Sequence, residues 1–316
     1  MSTAREALWE YGVPCAELWR KVGESDMPIV LRGFIDESKG GEKIPKLFSL
    51  SCLIANNASW PFLEWDWVGI LDRKNQKLRA EGRQAISRFH ASDFSNSFNE
   101  FEGWESDEKK DFVSEMIGVF SRYNFHVYSY DMPLQLLVKE IPETSPNPVG
   151  FAYVLLLQII MQDICRNTLK VYPDGIVSLH HDRNYQYDAA LQDAFNTLIA
   201  DSRFKCRKQF SYITSEGWEH CIPLQPADFF AYENYKEGLR KWDIKPRDRR
   251  VSLELFLGLD TVRGRGAGFT EKTLKQLKKN MERLDEKTKY DLLCNARIRQ
   301  VRQRDGSTPK DSSQRD

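Results

Sequence analysis

At 316 residues, 41% hydrophobic and 29% charged, the chain is long enough for one large domain or two smaller ones with proper cores, and it reads as soluble and globular. Its 46 Lys/Arg balance 46 Asp/Glu, yet Lys236 to Asp316 holds 22 basic residues against 13 acidic ones, so the positive charge gathers at the C-terminal end. The longest apolar run, "FAYVLLLQIIMQDIC" (Phe151 to Cys165), is shorter than the roughly 18 to 20 residues that span a bilayer, which argues against a membrane protein.

An opening helix is expected over Thr3 to Val22, within an N-terminal segment 1–27. It lacks a basic n-region followed by an unbroken apolar block, so no secretory signal is visible and a cytoplasmic location is the default expectation. Two extended apolar runs follow, Ile29 to Ile35 and Leu47 to Ala55, flanking a Ser-Lys-Gly-Gly turn region and predicting a hairpin or meander with Asp36, Glu37 and Ser38 at the end of its first strand. The spacing then predicts a Trp-rich helix near Trp60 to Lys77, an irregular stretch containing "RFHASDF" (Arg88 to Phe94), and a helix from Ser106 to Arg122, together an insertion over about 60–123.

Beyond the insertion, "NFHVYSYD" reads as a strand, Val149 to Asn167 as a buried helix and "DGIVSLHHD" as a strand ending on Asp182. Tyr185 to Ser202 reads as an amphipathic helix, "CRKQFSYIT" as a fifth strand, and Leu224 to Trp242 as the helix after it. Alternating strands and helices imply an α/β fold, a mixed five-stranded sheet flanked by helices over residues 28–242. Residues 243–316 form a basic C-terminal extension with one charged helix, about Glu271 to Asn295, and a polar, disordered end. The pieces "RKWDIKPRDRR", "RGRGAGF" and "NARIRQVRQR" have the charge expected opposite a polyanion, with Arg263 and Arg265 in the middle one; a solvated helical face is the competing explanation. The Gly-Arg run has no Lys-Ser/Thr after its glycines and is not a phosphate loop.

Six cysteines without a CxxC pair argue against a disulfide framework and a zinc ribbon, leaving mostly buried thiols. The five histidines (His90, His126, His180, His181, His220) give no spacing suited to a cysteine hydrolase.

In open α/β sheets the chemistry gathers beyond the carboxyl ends of strands. Asp36 and Asp182 fall at such ends, and Asp228 falls in the first turn of the helix after the fifth strand. Three carboxylates gathered without cations repel one another, so Mg²⁺ or Mn²⁺ is the expected partner, and two such ions can activate a water for phosphodiester cleavage. Gln225, three residues before Asp228, shares its helix face. Simple capping of the helix start is the alternative for Asp228. Glu37, Asp188 and Glu233 are reserve ligands.

The motifs "GFIDESKGG" with "FSLSCLIA", then "SLHHDR", then "IPLQPADFFAYE" resemble those of the domain of unknown function 3800 family, over roughly Pro28 to Leu239. The resemblance implies a ribonuclease H-like sheet with Asp36, Asp182 and Asp228 as catalytic metal ligands, Asp36 bridging the ions, and Gln225 as a polar neighbour. "RFHASDF" is similar to the family's middle motif and brings His90 or Asp93 toward the same pocket. Family members are described mostly as nucleases or as proteins of mobile elements and defence systems, so the expected activity is metal-dependent cleavage of DNA or RNA, with a non-catalytic nucleic-acid-binding protein as the alternative. The buried helix from Val149 offers Gln158 and Asp163 but no Glu.

Overall fold

Strands β1 (Val30–Lys39) and β2 (Leu47–Asn56) begin a computed structural model that describes residues 29–41, 45–183 and 187–283. The expected helix from Thr3 to Val22, residues 42–44 of the hairpin turn, the patch from Asn295 to Arg304 and the polar end lie outside the described residues. Strand β2 is buried over nearly its whole length, as a central strand covered on both faces must be. Helices α1 (Trp60–Ala80), α2 (Ala91–Asn96) and α3 (Ser106–Phe120) follow.

Next come β3 (Phe125–Pro133), α4 (Leu134–Glu140) and α5 (Pro148–Asp163), the last continuing through a π-helical turn, Ile164–Thr168, to Val171. Then follow β4 (Ile176–Asp182), α6 (Asp188–Ala200), β5 (Phe210–Glu216) and α7 (Leu224–Lys241). The described chain ends with α8 (Val251–Leu257), β6 (Val262–Gly268) and α9 (Glu271–Glu282).

The strands form one mixed sheet in the order β5-β4-β1-β2-β3-β6. β1, β2 and β3 are an antiparallel meander, β4 runs parallel to β1, β5 parallel to β4, and β6 parallel to β3. The sheet therefore has six strands rather than the expected five. The sixth is "VRGRGAG", whose glycines mask its strand character in the sequence. A Cβ on Gly266 would stand 2.7 Å from the backbone oxygen of Ser129, so this edge strand can lie against β3 only without a side chain there.

Side-chain alternation sends β1 residues to opposite layers: Ile35 packs in the core of α4, α5, α6 and α9, and Phe34 in the core of α1, α3, α7 and α8. With its continuation to Val171, α5 is 24 residues long and apolar enough to cross a bilayer, so length alone does not exclude a span; 72% of its most apolar stretch is buried in the core, which accounts for its composition. Cys165 and Cys206 form a disulfide, correcting the expectation of thiols for this pair, while Cys52 and Cys221 are buried thiols. The two lie 41 positions apart in the sequence, and the end of α5 meets the loop before β5 only in the fold.

Under α7 the sheet carries a polar seam. Ser51 Oγ donates to Ser129 Oγ at 2.8 Å, and Ser49 Oγ donates to Asp131, whose carboxyl burial pushes up to about 7. Helix α7 crosses this seam at Gly238, where a Cβ would stand 2.7 Å from Leu47 Cδ2 and 2.9 Å from Asp131 Cγ. Gly238→Val should therefore lower stability by about 2 kcal/mol through overpacking, measured by urea denaturation.

Candidate active site

Asp36 lies inside β1 rather than at its end, opposite Ser51 of β2 and on the face that α7 covers. Asp182 ends β4, the parallel neighbour of β1, with Ile35 paired to His181 one step earlier. Asp228 is in the second turn of α7. All three line one cleft of about 210 Å³, with Glu37, His90 and Gln225 also on its walls. Burial, followed by the charges of Asp228, Glu37 and Asp182, raises the Asp36 carboxyl well above the usual range. Asp182 and Asp228 are also raised, in both cases chiefly by burial. Protonated Asp36 is close enough to donate to Asp228.

Gln225 and Asp228 are tied to the insertion. Gln225 Oε1 accepts from the Trp67 indole at 3.1 Å and from the Phe89 amide at 2.9 Å, and Asp228 Oδ2 accepts from the Ala91 amide at 2.8 Å. Asp228 thus receives the first amide of α2 and leaves its own helix start uncapped by any side chain. His90, extended between the two held residues, reaches the cleft with its Nδ1 2.9 Å from Asp93 Oδ2. Asp93 serves His90 and is not on the cleft wall.

Other expected residues fall elsewhere. Arg263 and Arg265 lie on edge strand β6, and the register from Asp36 through Ser51 and Ser129 reaches Gly266, three strands away. Both arginines alternate with Gly266 and so belong to the opposite face of the sheet from Asp36. They do not line the cleft. Glu233 binds Arg250 and Ser252, while Asp188 lies near His181 and accepts from Ser215. Asp163 accepts from Tyr130. Arg240, Lys241 and Arg249 turn back on Glu237 and Arg250 on Glu233, so part of the basic stretch is consumed by internal ion pairs.

The cleft has its own cations, which sequence reasoning missed. Arg88 and Arg183 line it together with Trp218. Arg183 directly follows Asp182, and Arg88 opens the "RFHASDF" segment, so the signal was proximity in sequence to acids and His90 rather than local charge density.

Among the described residues no three Asp, Glu, His or Cys side chains stand posed around one point as a ready-made ion site. The donors nevertheless suit a hard cation: they are carboxylate oxygens, two of them within reach of one shared proton, and all raised by burial. A divalent ion in place of that proton would cancel the repulsion.

Gln225→Leu should leave the Phe89 amide and the Trp67 indole without their acceptor and cost about 3 kcal/mol in urea denaturation, with Gln225→Glu retaining more stability because it keeps an acceptor oxygen. For Asp36 the folded pKa is raised, so the folded state binds the proton more tightly than the unfolded one. Its destabilising contribution is complete above the raised pKa and is relieved as pH falls toward the ordinary carboxylate range near 4. In EDTA at pH 8, Asp36→Asn should raise Tm by about 3 °C, and the gain should shrink as the pH is lowered.

Comparison with known protein families, with curated proteins and with solved structures finds no match. The functional reading rests on the cleft itself.

Proposed function

We propose that the chain is a metal-dependent nuclease of the ribonuclease H-like type, cleaving phosphodiester bonds at the cleft of Asp36, Asp182 and Asp228. The observation that carries this reading is the meeting of these three carboxylates, from the adjacent parallel strands β1 and β4 and from helix α7, which packs over β1 and β2, in one cleft. A ribonuclease H-like fold requires that placement of them.

Asp36, Asp182 and Asp228 would hold Mg²⁺ or Mn²⁺, which would supply the charge that activates water and stabilises the departing oxygen. The chain's own groups handle protons and position. In hydrolysis the water oxygen bonds to phosphorus, the bond to one strand end breaks, and a carboxylate oxygen of the trio takes the water's proton. His90, whose Nδ1 lies 2.9 Å from Asp93 Oδ2, is the cleft group that would pass a proton to the departing oxygen. The amides of Phe89 and Ala91, fixed by Gln225 and Asp228, keep His90 at the cleft.

A second reading, a non-catalytic nucleic-acid-binding protein of a mobile-element or defence system, is favoured by the lack of a ready-made three-donor ion site among the described residues. Incubation of the purified protein with single- and double-stranded DNA and RNA, with Mn²⁺, with Mg²⁺ and with EDTA, separates the two. Cleavage should require metal, and Asp36→Asn, Asp182→Asn and Asp228→Asn should each reduce it by about 100-fold or more while leaving the fold intact. A wild-type protein inert on every substrate selects the second reading, and full activity in Asp228→Asn removes that residue from the site.

A further inference from the structure

A cleft floored with carboxylates repels the phosphates of any strand that enters it, so a nucleic acid needs cations close by to offset that repulsion. Among the described residues, six basic side chains of the C-terminal stretch do not supply them at the cleft: Arg263 and Arg265 sit on the far edge strand, and Arg240, Lys241, Arg249 and Arg250 are engaged with Glu233 and Glu237. Arg88 and Arg183 stand on the cleft wall.

Arg88 combines a place on the cleft wall with a seat over an indole ring. Where Arg83, Arg122, Arg240 and Arg250 are each held by a carboxylate, the Arg88 guanidinium lies 4.2 Å from the ring centre of Trp218, and among the described residues it makes no ion pair. Its charge still reaches the acids, opposing the rise of both Asp182 and Asp228. A guanidinium stacked on an indole has its plane fixed while the N–H donors around its edge remain open, which is the form suited to two parallel hydrogen bonds to a phosphate. Arg183 follows Asp182 directly, its guanidinium beside Gly217 and thus near the loop that carries Trp218.

We infer that Arg88, seated over the Trp218 ring, is the anchor for a backbone phosphate of the nucleic-acid strand entering the cleft, with Arg183 as a second contact beside Asp182. The inference rests on the nuclease reading and names the group of the substrate that the cleft grips. The ligand chemistry is a phosphodiester, shared by DNA and RNA.

The test is fluorescence anisotropy of the full chain with fluorescein-labelled single-stranded DNA and RNA oligonucleotides, in EDTA so that no cleavage occurs, between about 50 and 200 mM salt. Arg88→Ala should weaken binding about tenfold at the lowest salt and reduce the log-log salt slope by about 0.7, the value of one phosphate contact on a single strand. Arg88→Lys should restore the slope but not the affinity, because an ammonium keeps the charge without the fork. Trp218→Leu should lower affinity with the slope retained, and Arg183→Gln should lower both. Parallel losses on DNA and RNA locate the contact on the shared backbone. Wild-type binding with slope and affinity unchanged in Arg88→Ala and Arg183→Gln overturns the inference and leaves the nuclease reading standing. A slope that Arg88→Lys fails to restore assigns Arg88 to the scaffold and overturns it as well. Failure of the wild-type chain to bind any of the oligonucleotides overturns the inference too, since the two arginines are proposed to grip phosphate without metal, while the nuclease reading is decided separately by the metal-dependent cleavage assay.

Discussion

Two acceptors on one helix hold the site together. Gln225 and Asp228 rise about 4.5 Å apart along α7 and accept the amides of Phe89 and Ala91, which alternate along an extended segment. Without that grip the insertion would have no polar attachment beside the carboxylates, and the cleft would lose the wall that carries Arg88 and His90. The same two side chains thus join the sheet layer to the insertion and shape the cavity between them. A carboxylate bound to an amide and near a second carboxyl group cannot be exchanged for an apolar residue without undoing both functions.

The electrostatics of the sheet follow from where α7 lies. Its face of β1, β2 and β3 carries Asp36, Ser51 and Ser129 in one row and Ser49 with Asp131 in the next, so polar groups sit beneath a helix that is itself largely buried. The serines and Asp131 satisfy one another by hydrogen bonds and need no outside partner. Asp36 is different. It is buried among like charges, and the protein carries that unfavourable term in the sheet centre where a purely structural residue would be apolar.

Much of this was legible in the sequence. The apolar centres of the first five strands, the amphipathic and buried helices, and the acidic residues of three separated motifs announce themselves through period and punctuation, and Asp36, Asp182, Asp228, Gln225 and His90 do meet at one cleft, although Asp36 comes from inside its strand and not from the end. What stayed hidden depends on contacts across long separations. Glycine-rich β6 has no side-chain alternation to read, and its partner β3 is more than 120 residues earlier. Charge density along the chain does not reveal that four basic residues of "RKWDIKPRDRR", Arg240, Lys241, Arg249 and Arg250, are engaged by Glu233 and Glu237 of α7. Isolated Arg88 and Arg183 carry no such density and gain meaning only from the cavity they border. Nor does the sequence show that Gln225 spends its carbonyl on Trp67 and Phe89.

The Cys165–Cys206 bridge divides the carboxylates by their place along the chain. It closes a loop containing β4 and α6, and with its ends 41 positions apart in the sequence such a cross-link restricts the unfolded chain by about 4 kcal/mol in the loop-entropy description. Asp182 lies inside that loop, while Asp36 and Asp228 lie outside it. In that description the bridge limits the unfolded chain around β4 and α6, so Asp182 is the one member of the acidic trio carried by the cross-linked segment, while the other two lie on elements it does not encircle.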